Sequence, residues 1–317
     1  MQHKKLIQSE IEFNKTFRYI TQAYEEIAVL KMRKVRASVL STREYLSHLT
    51  EVFFDLKKAK EKQNQLAKLK SSSKDNTDKE KKTLINAEAD KKNTSDKITR
   101  KVSVLLSANT TLYGDLIGRI FQLFLKNIKK DNSDLIIVGR VGKRMYDQQE
   151  NKKPYVYFEI PDVGITLEEL KPVIFHLVKY QKIQVYYGKF ESIVTQKEIS
   201  SNISGDNPYL FKDKEEKLAN TDLKKDLNNP NFQYLFEPDL DNILAFFEDL
   251  IASSLFRQTV HETQLARWAS RILSMEKAQT NIDMAIKKLY FSRTKIIKQN
   301  ENQKQLNRLA GLSLWRR

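Results

Sequence analysis

The sequence predicts an α+β protein: a long antiparallel coiled coil made from the N- and C-terminal helices, with a small central α/β domain of Rossmann-like type mounted between them. Three observations predict it. All six prolines, and every glycine except Gly311, lie between Gly114 and Pro238, so both ends of the chain lack the residues that interrupt helices. Both ends also carry apolar residues at spacings of three and four. Between them, short apolar runs alternate with helical patterns, as in a small α/β sheet.

Taken in order, Ile20, Tyr24, Ile27 and Leu30, then Leu46, Leu49, Phe53 and Leu56, give a first helix from about Leu6 to at least Leu56, its apolar stripe on those residues. Lys57 to Arg100 is crowded with Lys, Asp, Asn and Ser around Lys70–Lys74 and reads as a solvated helical hairpin or a flexible insert. Val102–Leu106, Leu135–Val138, Tyr155–Ile160, Ile183–Tyr187 and Phe190–Thr195 read as strands, and Asp115–Lys129 and Leu167–Tyr180 as helices. A second polar insert runs from Ile203 to Pro230. The last helix starts at Pro238 and carries Leu240, Leu244, Phe247, Ile251, Leu255, Ile272, Met275, Ile282, Ile286 and Leu289. The division is therefore 1–56 helix, 57–100 Lys-rich insert, 101–202 α/β domain, 203–235 polar insert and 236–317 helix. At 1.5 Å per residue each terminal helix would be on the order of 100 Å long, and the simplest way to bury its stripe is against the other.

A net charge of +16 in 317 residues, 30% of them charged, points to acidic proteins, phosphates or anionic lipid as partners. With no cysteine there are no disulfides and no thiolate metal sites, so a cytoplasmic setting is expected. Met1–Glu10 lacks the apolar stretch of a signal peptide, and no run reaches the ~18 apolar residues of a membrane span.

Residues for chemistry are missing. No Gly-x4-Gly-Lys-[Ser/Thr] phosphate loop occurs, and Gly114–Gly118 and Gly139–Gly142 are too short for a dinucleotide fingerprint and read as turns after strands. His3, His48, His176 and His261 are scattered, and His261-Glu262 has no second histidine at metal spacing. The acid pairs Glu168-Glu169 and Glu215-Glu216 sit in polar stretches. The expectation is no catalytic residue, no metal and no cofactor. Lys31, Arg33, Lys34 and Arg36 cluster on the first helix, and Arg267 and Arg271 lie one turn apart on the last. On a rod, such groups suit an acidic protein collar or a nucleic acid.

The chain resembles the gamma subunit of F-type ATP synthases. Ile20-Thr21-Gln22-Ala23-Tyr24-Glu25-Glu26-Ile27-Ala28-Val29-Leu30-Lys31-Met32-Arg33-Lys34, followed by Ser41, Arg43 and Tyr45, is similar to that family's N-terminal block, with Glu44 in place of a proline. Thr111–Leu116, Val138–Tyr146 and Val185–Phe190 resemble its central motifs in the right order. Phe236-Glu237-Pro238-Asp239 resembles its Tyr-Glu-Pro-Asp, and Glu262, Arg271, Met275, Ala278, Asn281, Leu289 and Gly311 follow without a gap. The resemblance spares the two inserts.

The resemblance implies a non-catalytic rotor stalk on the axis of a hexamer of alpha- and beta-type ATPase subunits, where the ATP chemistry resides. It further implies an epsilon-type stalk partner, a membrane rotor ring or a motility machine as the output, and a place at the inner face of the cell membrane. Ring contacts implied are Lys31, Arg33, Lys34, Arg36, Glu262, Arg267 and Arg271, with Leu306, Leu309, Leu312 and Leu314 in an apolar sleeve at the far end. Ala266 and Arg267 stand where the family has Ser and Glu, and its Arg-Gln-Ala-x-Ile-Thr segment is not kept around Ile297. These departures, with the Lys-rich insert, point to a divergent member such as the second set of these ATPases in mollicutes, some of which serve gliding or antibody handling. The rival reading is a basic coiled-coil protein that binds nucleic acid, which would interleave aromatics with Lys and Arg on an exposed face.

Overall fold

In the computed structural model, residues 2–71, 98–129, 131, 133–150, 152–203 and 239–314 are described, with side chains over 5–60, from 101 onward within those ranges, and up to 311. Most of both inserts, and the Phe236–Pro238 stretch before the last helix, lie outside the described residues. Helix α1 (Gln2–Ser71) and helix α5 (Leu240–Leu314) are single helices of 70 and 75 residues. Between them come β1 (Ile98–Leu106), α2 (Leu116–Ile128), β2 (Asp134–Val138), α3 (Arg140–Asp147), β3 (Tyr155–Phe158), α4 (Leu167–Leu177), β4 (Tyr180–Phe190) and β5 (Gln196–Asn202).

The two long helices pack side by side and antiparallel, and the pairs that tie them run in opposite senses along the chain. Arg18 bonds Asp283 at 2.8 Å, Glu25 pairs with Gln279, Arg43 bonds Glu262 at 2.6 Å, and Lys60 pairs with Asp241. On α1 the positions turned inward are Ile11, Asn14, Arg18, Thr21, Glu25, Ala28, Met32, Val35, Val39, Thr42, Leu46, Leu49, Phe53, Leu56 and Lys60. That is an unbroken alternation of three and four residues, the heptad seam of a coiled coil. From Leu240 to Ile296 the facing seam of α5 alternates in the same way, through Leu244, Phe247, Ile251, Trp268, Ile272, Met275, Gln279, Ile282, Ile286 and Leu289. A strict seven-residue repeat prescribes a left-handed supercoil.

The first half of α1 departs from the sequence expectation. Ile20, Tyr24, Ile27 and Leu30 are 46%, 42%, 47% and 64% exposed, while Thr21, Ala28 and Met32 occupy the seam beside them. The physical reason is the partner helix: the heptad register turns Thr21, Ala28 and Met32 toward α5 and leaves the larger apolar face outside it. The threonine hydroxyls cost nothing there because each bonds its own helix, Thr21 to Arg18 O and Thr42 to Ser38 O, both at 2.8 Å.

The sheet has strand order β3-β2-β1-β4-β5, parallel except for β5. Leu105, Leu135, Ile137 and Tyr186 face α2, α3 and the coiled coil, in one core with Ala28, Val35, Val39, Trp268 and Ile272. Val102, Val104, Leu106, Ile136, Val138 and Val185 face α4 and the Phe256–Val260 stretch of α5. Near-continuous apolar strands covered on both faces are what a parallel sheet requires. Gly188 on β4 lets α2 come close, since a Cβ there would sit 3.3 Å from both Leu116 and Ile120.

Four local expectations change. Phe190–Thr195 is not a strand: β4 runs to Phe190, Glu191–Thr195 turns back with Ser192 N bonded to Thr195 O at 3.0 Å, and the fifth strand is Gln196–Asn202. The turn-like Gly139–Gly142 opens α3, with Gly139 at φ 99 as its N-cap and Gly142 inside the helix. The strand predicted over Tyr155–Ile160 ends at Phe158, and the helix predicted to Tyr180 ends at Leu177.

Candidate functional site

From Thr259 to Ile272 every residue of α5 is buried, although the stretch holds His261, Glu262, Gln264, Arg267 and Arg271. It is buried because α1 covers one side and the α/β domain the other. Each polar group is then answered within the chain, as burial demands.

Toward α1, the Glu262 carboxylate accepts from Arg43 Nη2 at 2.6 Å and Nε at 3.2 Å, and from Gln258 Nε2 at 3.2 Å. Toward the domain, Arg267 Nη1 donates to Asp162 Oδ1 at 2.9 Å and to Ser107 O at 2.7 Å. One turn on, Arg271 donates to Thr111 O at 2.6 Å and to Thr110 Oγ1 at 3.2 Å, and its guanidinium lies 4.2 Å from the ring centre of Tyr113 and 4.8 Å from that of Trp268. Ser270 Oγ donates to Tyr113 O at 2.7 Å. Burial pushes the Tyr113 hydroxyl up, against the pull of Arg267. Burial likewise holds His261 below the ordinary histidine range, and its ring faces Gln264 Oε1 at 3.3 Å.

Of the residues expected at a ring, Glu262, Arg267 and Arg271 are thus enclosed by this chain, 5–7% exposed. Lys31 is half-buried and Arg33, Lys34 and Arg36 are exposed on α1. Leu306 and Leu309 are 64% and 63% exposed, on a stretch where every residue from Glu301 to Gly311 is exposed. The register of the rod explains this, because α5 there has run past the start of α1. Leu312 and Leu314 lie on the same helix, their side chains outside the described residues. Sequence reasoning missed a second surface: Phe13, Phe17, Ile20, Tyr24 and Ile27 form an outward apolar stripe, again at spacings of four and three, with Phe13 and Phe17 stacked at 6.3 Å. The signal was present, but a stripe at helical spacing had been assigned to the core.

Among the described residues no group of three or more His, Cys, Asp or Glu could hold a metal, and no helix is long and apolar enough to cross a membrane.

Comparison with known proteins places this geometry. The chain is 24% identical over 270 residues to the ATP synthase gamma chain of Mesoplasma florum, covering 83% of this chain and 80% of that one. It is 23% identical over 299 residues to that of Ruthia magnifica, covering 90% of each, and 25% identical over 287 residues to that of Mycoplasma mycoides, covering 89% and 88%. Among solved structures, it matches a chain of the Euglena gracilis mitochondrial ATP synthase, OSCP/F1/c-ring, in rotational state 3, with a TM-score of 0.57 at 14% identity over 98% of this chain and 94% of that one. A chain of the rotor of the same enzyme in rotational state 1 gives 0.55 at 15% identity, over 94% and 98%. These two likenesses carry the fold. A family model described as ATP synthase matches residues 3–299, and with curated relatives that are gamma chains over most of their length, this chain belongs to the ATP synthase gamma-chain family.

Proposed function

We propose that this chain is the central rotor stalk, the gamma-type subunit, of a rotary F-type ATPase, turning inside a hexamer of alpha- and beta-type subunits that carry the ATP chemistry. The observation that carries the reading is the rod: two long helices with no proline and Gly311 as their one glycine, matched in heptad register over Ile11–Lys60 and Leu240–Ile296 and bearing an eccentric head. A shaft that transmits torque has to be stiff, and neither long helix carries a proline.

The outward stripe from Phe13 to Ile27 supports the same reading, since contiguous exposed apolar surface marks a partner-covered face. In this proposal the ring covers that stripe, acidic ring loops meet Lys31, Arg33, Lys34 and Arg36, and an apolar sleeve receives Leu306, Leu309, Leu312 and Leu314. Glu262, Arg267 and Arg271 serve inside the stalk. The head points toward an epsilon-type stalk subunit and a membrane rotor ring or motility machine, which holds the chain peripherally at the inner face of the cell membrane. The fold shared with chains of the Euglena F1/c-ring and rotor assemblies supports that placement. Exposed aromatics do interleave with basic residues, as Phe13, Phe17 and Tyr19 around Lys15 and Tyr290 and Phe291 beside Lys287 and Lys288 do, but the match to gamma chains over most of the chain favours the rotor over the nucleic-acid reading.

The test is native co-purification of the tagged chain followed by single-molecule observation of a probe on the head. Recovery with two different ring-forming ATPase subunits, and ATP-driven turning of the probe, are expected. A lone homodimer with no ATPase subunit sinks the proposal.

A further inference from the structure

The head is built like a ligand-binding sheet, and the chain itself fills the ligand's place. In open parallel sheets, ligands lie outside the carboxyl ends of the strands where the strand order reverses. Here the order reverses at β1, with β2 on one side and β4 on the other. Above that edge the stretches after β1 and β3 meet at Asp162. Its carboxylate accepts from Asn109 N at 3.1 and 3.2 Å, from Thr110 N at 2.9 Å and from Thr110 Oγ1 at 2.8 Å. Into the same crevice α5 inserts Arg267, and the void that remains, lined by Ser107, Gly139, Ile160 and Arg267, is about 20 Å³. That is room for a single water.

Arg267 is one of a row. Gln264, Arg267, Ser270 and Arg271 lie on one face of α5, beside its seam, and donate to the backbone carbonyls of Asp162, Ser107, Tyr113 and Thr111. The apolar contacts around them hold head and rod together, but apolar attraction itself has no direction, so they constrain the angle through shape alone. Hydrogen bonds do have direction. The named ion pairs of α1, by contrast, reach α5: Arg18 to Asp283, Arg43 to Glu262 and Lys60 to Asp241.

We propose that Arg267, seated on Asp162 in the closed-off ligand crevice, is the pin that fixes the angle of the head on the last helix, so that head and α5 turn as one body. The idea of turning rests on the rotor reading, but the pin does not, and it can be tested in the full chain alone. Because the chain has no cysteine, two can be introduced for spin labels, Lys171→Cys on exposed α4 and Lys277→Cys on the exposed side of α5. The distance distribution between the labels is narrow with Arg267 in place. With Arg267→Met it roughly doubles in width while helix content is kept, as expected when a buried charge loses its partner and the junction opens locally.

If that variant unfolds, the double variant Arg267→Met with Asp162→Asn, which removes the charge left without its counter-ion, decides. It must fold and still show the broad distribution. A narrow distribution in whichever variant folds overturns the pin, and unfolding of both overturns it too, since the pair would then build the domain rather than orient it. Failure of the rotor reading appears separately, as a labelled parent chain that keeps its narrow distribution yet recovers no ring subunits.

Discussion

Arg43 and Glu262 stand 219 positions apart in sequence and meet at 2.6 Å, with the carboxylate 8% exposed and the guanidinium 48%. This contact ties α1 to α5 beside the head. Arg43→Met leaves a buried carboxylate with Gln258 as its remaining described donor. The expected loss is about 2 kcal/mol, below the value for a fully buried pair because water reaches the arginine side. Urea unfolding of the isolated chain measures it, and Glu262→Gln, which needs no counter-charge, loses less.

Acid weakens the chain through its histidines. Burial lowers both His261 and His176 from 6.5, the latter helped by Lys179, so the unfolded chain takes up protons that the folded one refuses. Where the unfolded state binds more protons, stability rises with pH. The contribution of the two rings is therefore complete above the unfolded value and declines as pH falls below 6.5 toward the lower folded values. Urea midpoints at about pH 7.5 and 5.5 should differ, and His261→Asn should shrink the difference. A variant with the parent's full pH dependence removes His261 as a cause.

Two glycines should respond in opposite ways. At Gly139, φ is 99 and a Cβ would lie 2.9 Å from the backbone N and O of Ala108, so Gly139→Ala should cost roughly 2 kcal/mol or more. At Gly118, within α2, nothing lies within 4 Å, and Gly118→Ala should gain about 0.5 kcal/mol. Thermal melts of the two variants beside the parent read both signs.

Reversing Lys31, Arg33, Lys34 and Arg36 to glutamate should leave the melting of the isolated chain nearly unchanged, because Arg33, Lys34 and Arg36 are exposed and Lys31 only half-buried. It should lower ATP turnover of the assembled complex, roughly threefold at low salt and less as salt screens the contact. Turnover equal to the parent's at every salt concentration counts against the basic cluster as a ring contact.

Leu306→Asp and Leu309→Asp likewise test the tip. Both side chains are exposed in the lone chain, so its stability should move by no more than about 0.5 kcal/mol. In the assembled complex a charge in an apolar sleeve should slow turnover or weaken recovery of the ring subunits. Normal assembly and turnover remove the sleeve.

The rod was legible in the sequence because helix breakers are few and their absence over long stretches has one cheap explanation. On α5 and on the second half of α1 the large apolar residues are also the seam, so periodicity found the right face. On the first half of α1 two faces carry the spacing, and hydrophobicity picked the larger side chains, Ile20 to Leu30, over the buried Thr21 and Ala28. Choosing between them needs the partner helix. Strand β5 was placed too early because an edge strand reading Gln-Lys-Glu-Ile-Ser-Ser-Asn has little apolar alternation to announce it. Helix α3 was hidden by Gly139 and Gly142, which look like turn residues and serve instead as a cap and as a close approach to Ser107. Arg267 stood out as a departure from the resembled pattern, but its role depended on Asp162, which lies 105 residues upstream and gives no local signal.

The heptad spacing of the two long helices has a mechanical corollary. Two strands wound left-handedly behave as a laid rope: twisting the far end in one sense tightens the lay and presses the seam residues together, and twisting in the other slackens it. The response of such a pair to twist therefore depends on the sense of the twist, and that sense is set by the handedness of the chain's own amino acids.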